Sequence, residues 1–129
     1  VIELGYAAQA DMPSLYSNAR LFLFATLWEG FGIPVLESMA CGTPVVTSNV
    51  SCLPEIAGDA ALLVDPTDVN CVAKAMYRLH DDEPLRQQLI QRGLARAKQF
   101  TWERCAHQTL TAYHQMAAIG GDSHPTPKR

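Results

Sequence analysis

The chain has 129 residues, 48% of them hydrophobic, which fits one folded domain with a core of its own. A formal net charge of -3 argues against a nucleic-acid surface, because phosphate binding depends on clustered positive charge. No apolar run of about 18 residues is present, so no spanning helix is expected within this stretch. In chain order the hydrophobic pattern alternates between strands and helices. Val1–Leu4 reads as a short strand. A helix from Met12 to Ala19 follows, opened by Asp11 as cap and Pro13 in the first turn. Arg20–Ala25, with Leu21-Phe22-Leu23-Phe24, reads as a buried strand. Pro34, Val35, Leu36, Met39 and Ala40 begin an amphipathic helix that stops at Gly42, a left-handed cap, with Pro44 beyond it. Pro44–Thr47 is the next strand, Leu53–Ile56 a helical turn and Ala61–Val64 a further strand. Strands separated by helices imply an α/β fold with a parallel sheet and right-handed crossovers. The remainder is helical, with stripes at Val69, Val72, Ala73, Met76 and Leu79, at Leu85, Leu89, Gly93 and Ala97, and at Trp102, Cys105, Ala106, Thr109, Leu110, Tyr113 and Met116. These are read as packing faces. Residues 118–129, with Gly120-Gly121 and a Pro/Ser/Thr/Lys mix at their core, are expected to form a mobile tail.

Between the second strand and its helix stands Glu29-Gly30-Phe31-Gly32-Ile33-Pro34-Val35-Leu36-Glu37, two acids bracketing a glycine-rich turn. Glu29 falls in the loop beyond a strand's carboxyl end, and Glu37 about one turn into the helix. That edge of an open α/β sheet is where loops leave a crevice for ligands. A carboxylate accepts two hydrogen bonds at once, which matches the vicinal hydroxyls of a ribose or a sugar ring. The two acids could thus grip the two ends of a nucleotide sugar. Its diphosphate would lie at the positive end of the helix, near the N–H groups of Val35 and Leu36, since Pro34 has none. Gly30 and Gly32 lack a Cβ and let backbone approach the ligand. Position alone leaves plainer roles open: an acid in a first helical turn suits the macrodipole, and a loop acid can simply be solvated. Gly30-x-Gly32 is no dinucleotide fingerprint, because Val35 stands where a third glycine would be.

Cys41, Cys52, Cys71 and Cys105 show neither CxxC spacing nor the density of a disulfide scaffold, so reduced thiols are expected, with Cys41 and Cys105 in apolar helical patterns. His80, His107, His114 and His124 include no HExxH pair, and no metal site is expected. Arg86, Arg92, Arg96, Lys98 and Arg104 interleave with other residue types and read as solvated, with contact to an anionic membrane surface left open.

The contiguous run from Glu29 to Val46 resembles the Glu-x7-Glu signature of retaining glycosyltransferases with two Rossmann-like domains, the GT-B architecture. Leu4-Gly5-Tyr6, Leu15-Tyr16-Ser17-Asn18-Ala19 and the segment from Leu53 to Pro66 are similar to that family's surrounding segments, so the likeness covers residues 1–117. The resemblance implies a Rossmann-like parallel sheet flanked by helices, the later part of the C-terminal, donor-binding domain of a longer enzyme. It implies that Glu29 meets hydroxyls of the donor sugar as the catalytic acid residue and that Glu37 holds the ribose. Gly30, Phe31, Gly32 and Ile33 would line the sugar pocket, and Val35 and Leu36 would reach the diphosphate. The implied reaction moves a sugar from a nucleotide-sugar donor to an acceptor hydroxyl with retention, without a bound metal or other cofactor. The acceptor, a glycan, lipid or small molecule, would belong to an N-terminal domain that lies outside this chain. The parent is expected in the cytoplasm, with peripheral contact at the membrane's cytoplasmic face left open, and the isolated chain is expected to be inactive. The Trp102 to Met116 face is, on the same resemblance, a candidate interdomain surface. Alternatives sharing the fold are a sugar-nucleotide epimerase, a phosphorylase and a non-catalytic nucleotide-sugar-binding or interaction module.

Overall fold

The computed structural model describes residues 1–120, in two units, one from Val1 to Gln99 and one from Phe100 onward. In the first, strands β1 (Phe22–Phe24), β2 (Val45–Ser48) and β3 (Ala61–Val64) form a parallel sheet in the order β1-β2-β3. Phe22 stands opposite Val45, and Thr47 lies between Phe24 and Leu63. Val45, Val46, Thr47 and Ser48 are all buried. Because successive side chains of a strand point to opposite faces, burial of four in a row means that both faces of β2 are covered. The cover comes from helices α2 (Ile33–Ala40), α3 (Leu53–Ala57) and α4 (Val69–Asp81), with α5 (Glu83–Ala97) packed on α2 and α4. A cluster of Val46, Val64, Leu79 and Leu89 forms the centre, flanked by Leu21, Leu62, Cys71, Val72, Ala75 and Leu85. The expected α/β parallel sheet flanked by helices is therefore the fold that forms.

Local chemistry sets the element ends. Helix α2 closes on Gly42 at φ 75°, where the N–H groups of Thr43 and Gly42 donate to Ser38 O at 3.0 Å and Met39 O at 3.1 Å, the paired bonds of a Schellman cap. Asp68 caps α4 by accepting from the N–H groups of Asn70 and Cys71, and Asp82 caps α5 by accepting from Leu85. Arg20 donates to His80 O near the end of α4, and Arg96 donates to Glu55 O and Ile56 O at the end of α3. These guanidinium bonds satisfy carbonyls that helix ends leave open.

Several sequence expectations differ in detail. The strand expected to be buried is not: in β1 Leu23 is exposed and Phe22 and Phe24 are half-buried, because β1 is the outer strand of the described sheet. Val1–Leu4 is not a strand: Ile2 is 86% exposed, and apolar side chains alone do not hold a strand without a neighbour's ladder. Asp11 makes no side-chain cap for α1 (Met12–Asn18), because a 3-10 turn at Gln9–Asp11 runs straight into the helix and leaves Asp11 itself helical, at φ -89° and ψ -17°. Pro13 does sit in the first turn. Val69 stands 79% exposed, while Cys71, Val72, Ala75 and Leu79 make the inner face of α4. At 100° per residue Val69 lies about a quarter-turn or more off that face.

The second unit contains α6 (Trp102–Gly120), capped by Thr101 Oγ1, which accepts from Arg104 N at 3.1 Å. Helix α6 includes 118–120; the rest of the expected tail lies outside the described residues. Among the described residues no helix is long and apolar enough to cross a membrane.

Candidate functional site

At the carboxyl ends of β1 and β2 the chain turns into two loops, 25–32 and 49–52, that side-chain hydroxyls join. Ser48 Oγ accepts from Thr26 N at 2.9 Å and donates to Thr26 O at 2.7 Å. Farther out, Ser51 Oγ donates to Glu29 O at 2.8 Å and accepts from Glu29 N at 3.3 Å, and the Cys52 thiol donates to Glu29 O at 3.2 Å. Thr47 Oγ1 adds a bond to Phe24 O at 2.9 Å. The loop carrying Glu29 is thus held to the second loop by short polar side chains, each of which has its hydrogen-bonding capacity met where it is buried.

Glu29 itself is half-buried, and its Oε1 accepts from Gly30 N at 3.0 Å. Near it in the chain, Trp28, Phe31 and Ile33 are 80%, 47% and 53% exposed, so the loop and the start of α2 present apolar surface to solvent. The two glycines differ. Gly32 sits at φ 94° as the N-cap of α2, and a Cβ there would come within 2.8 Å of Leu53 Cδ2, so the fold itself requires it. Gly30 has open space where a Cβ would point. Among the described residues its bareness serves no packing purpose.

The N–H groups expected to face a diphosphate are partly engaged. Val35 N donates to Gly32 O at 3.0 Å, while Leu36 N reaches the same carbonyl only at 3.5 Å. The left-handed cap draws the first turn tight, and Leu36 keeps the looser donor. Glu37, half-buried on α2, turns its Oε2 toward α1 and accepts from Tyr16 OH at 3.3 Å. Tyr16 is buried and lies edge-on to Phe22, their ring centroids 5.2 Å apart. Burial, then the nearby Glu37 carboxylate, push the Tyr16 phenol above its ordinary range. Tyr16, Glu37 and Cys41 line a cavity of about 180 Å³ together with Gln9, Met12, Pro13 and Ala40.

The two acids therefore lie in separate surroundings, Glu29 in the stitched loop after β1 and Glu37 on α2 beside α1. Among the described residues no hydrogen bond joins them, and no three His, Cys, Asp or Glu side chains gather as a metal-binding group would. The hydrogen bonds of Ser51, Cys52 and Tyr16 to the two acids, and of Ser48 to the loop before Glu29, were not expected from the sequence. The signal for Ser48, Ser51 and Cys52 was only a polar run after a strand; Tyr16 stood within a resembling segment without a role. Cys41, Cys52 and Cys71 are half-buried, Cys105 is exposed, and all four thiols are free.

Residues 1–96 match the family described as glycosyl transferases group 1. The chain belongs to that family. Among its relatives, this glycosyl transferases group 1 chain is 49% identical to O-antigen chain mannosyltransferase B of Escherichia coli over 85% of its own length and 29% of that protein. It is 35% identical to MMP alpha-(1->4)-mannosyltransferase of Mycolicibacterium hassiacum, covering 84% of the chain and 27% of the relative. A solved sucrose-phosphate synthase from Thermosynechococcus elongatus superimposes with a TM-score of 0.71 at 35% identity, over 81% of this chain and 27% of that one. The chain thus spans 29% or less of the length of these relatives.

Proposed function

We propose that this chain is the donor-binding part of a retaining glycosyltransferase that moves a sugar from a nucleotide sugar to an acceptor hydroxyl. The observation that supports the reading is that the loop carrying Glu29 leaves the carboxyl end of β1 and opens helix α2, which carries Glu37, in a chain of the glycosyl transferases group 1 family. Glu29 would accept from hydroxyls of the donor sugar, and Glu37 would accept from the ribose, its free lone pairs lying beside the bond from Tyr16. Gly30, Phe31, Gly32 and Ile33 would line the sugar, with the open space at Gly30 giving the sugar its closest approach. The start of α2, with Leu36 as its looser donor and Val35 beside it, would face the departing diphosphate, so that no metal cofactor is required of this chain. Two of the relatives are mannosyltransferases by name, which makes mannose the donor sugar to test first. An acceptor glycan, lipid or small molecule would be held outside this chain. Four free thiols suit a reducing cytoplasm, and a parent working at the membrane's cytoplasmic face fits the same picture.

The test uses the full-length protein and a panel of nucleotide sugars including GDP-mannose and UDP-glucose, read as nucleoside diphosphate release and anomeric configuration. Glu37→Ala is expected to weaken nucleoside diphosphate binding by about 1.5–3 kcal/mol, the loss of charge-assisted hydrogen bonds. Glu29→Gln is expected to lower turnover far more than donor affinity, because its partner charge develops as the diphosphate leaves. Unchanged nucleotide affinity in Glu37→Ala, or inversion at the anomeric carbon, overturns the corresponding assignment.

A further inference from the structure

We infer that Ser51 is a positioning residue that sets the direction of Glu29 through its peptide. The inference rests on the sugar-contacting role proposed for Glu29. Among the described residues Ser51 is the one non-glycine with a positive φ, 60°, a left-handed conformation that L side chains adopt at a cost. Glycine would take that conformation freely. What serine adds is a hydroxyl, and both of its hydrogen bonds go to the backbone of one residue in the opposite loop: donation to Glu29 O at 2.8 Å and acceptance from Glu29 N at 3.3 Å, in the two peptide groups that flank the Glu29 Cα. The Cys52 thiol supports the same carbonyl at 3.2 Å. Among the described residues the Glu29 carboxylate has no comparable anchor, since the hydrogen bond it accepts there comes from the adjoining Gly30 N–H at 3.0 Å. Its aim therefore follows the backbone that Ser51 holds. A strained residue whose side chain bonds to the peptide of a site residue is the pattern expected where structure is traded for placement. Ser51 reaches that backbone from the loop after the buried central strand β2, so Glu29 is referred to the buried centre of the sheet.

Two substitutions separate placement from stability. Ser51→Gly removes hydroxyl and strain together; Ser51→Ala removes the hydroxyl and keeps the strain. In the full-length protein both are expected to lower kcat by about 10- to 100-fold with donor KM nearly constant. Their melting temperatures should nevertheless split, with Ser51→Gly close to the parent and Ser51→Ala below it. In a Glu29→Gln background Ser51→Gly should cause no additional loss. Full kcat in Ser51→Gly, or a kcat that follows melting temperature across the two variants, overturns the inference. An equal loss in the Glu29→Gln background also overturns it while leaving the role of Glu29 standing. Parental turnover in Glu29→Gln alone, or no donor use by the full-length protein, removes the Glu29 reading and this inference with it.

Discussion

Tyr16 shows how one side chain couples packing to the site. Its ring is fixed against Phe22, Thr43 Oγ1 holds its carbonyl at 2.6 Å, and its hydroxyl points at Glu37. Tyr16→Phe keeps the ring contact and removes one long hydrogen bond, so a loss of about 0.5–1.5 kcal/mol in unfolding free energy is expected. The raised phenol affinity for its proton, caused first by burial and then by Glu37, fixes a pH dependence. The folded state holds that proton more tightly than the unfolded chain. The Tyr16 contribution is therefore whole below the ordinary phenol value of 10.0 and falls as pH rises through the higher folded value. Denaturant unfolding between neutral and strongly alkaline pH should show a shallower decline for Tyr16→Phe than for the parent, and an identical decline would contradict this. Gly32 makes the other residue-scale case. Gly32→Ala combines a φ of 94° with a Cβ 2.8 Å from Leu53 Cδ2, and about 2–4 kcal/mol of destabilisation is expected by chemical denaturation. Gly30→Ala meets no neighbour in the fold, so its stability should stay near the parent's while sugar-donor use falls.

Helix α5 packs closely on α2. A Cβ on Gly93 would lie 3.2 Å from Met39 Cγ and 3.6 Å from Met39 Cα, and both residues are buried. Alanine there trades better helix propensity against crowding of a flexible methionine. Valine adds bulk that the Met39 backbone blocks. Gly93→Val is expected to cost about 1–3 kcal/mol, checked by urea unfolding, and to shift the start of α2 enough to weaken nucleotide binding in the full-length protein. The stripe at Leu85, Leu89, Gly93 and Ala97 was legible because helical periodicity survives in an amphipathic helix. That Gly93 is the crossing point was not legible, since a glycine in a helical pattern reads only as a weak position until its partner is known.

At the largest scale, the candidate site is one edge of the parallel sheet, its donor-binding role is the proposal made above, and 29% or less of each relative described above is represented in the chain. Positioning of the acceptor and shielding from water are functions this sheet edge cannot supply alone. The isolated chain is therefore expected to show no transfer when incubated with nucleotide sugars and acceptor glycans, while the full-length protein turns over. Comparable turnover by both would overturn the assignment of this chain as the donor-binding part only.

Legible in the sequence were the order of strands and helices from Met12 onward, the parallel sheet, the Gly42 cap, and the spacing that puts Glu29 in the loop after β1 and Glu37 about one turn into α2. Each of these depends on short-range chemistry: periodicity, proline and glycine geometry, and the run of residues between two acids. The tertiary structure alone decided that Val1–Leu4 stays unpaired, that Val69 faces outward, that Glu37 turns to Tyr16 and that Ser51 holds the Glu29 peptide. Those outcomes depend on partners 21 and 22 residues away, or on a neighbouring strand, and no local pattern encodes which side chain folding will bring across that gap.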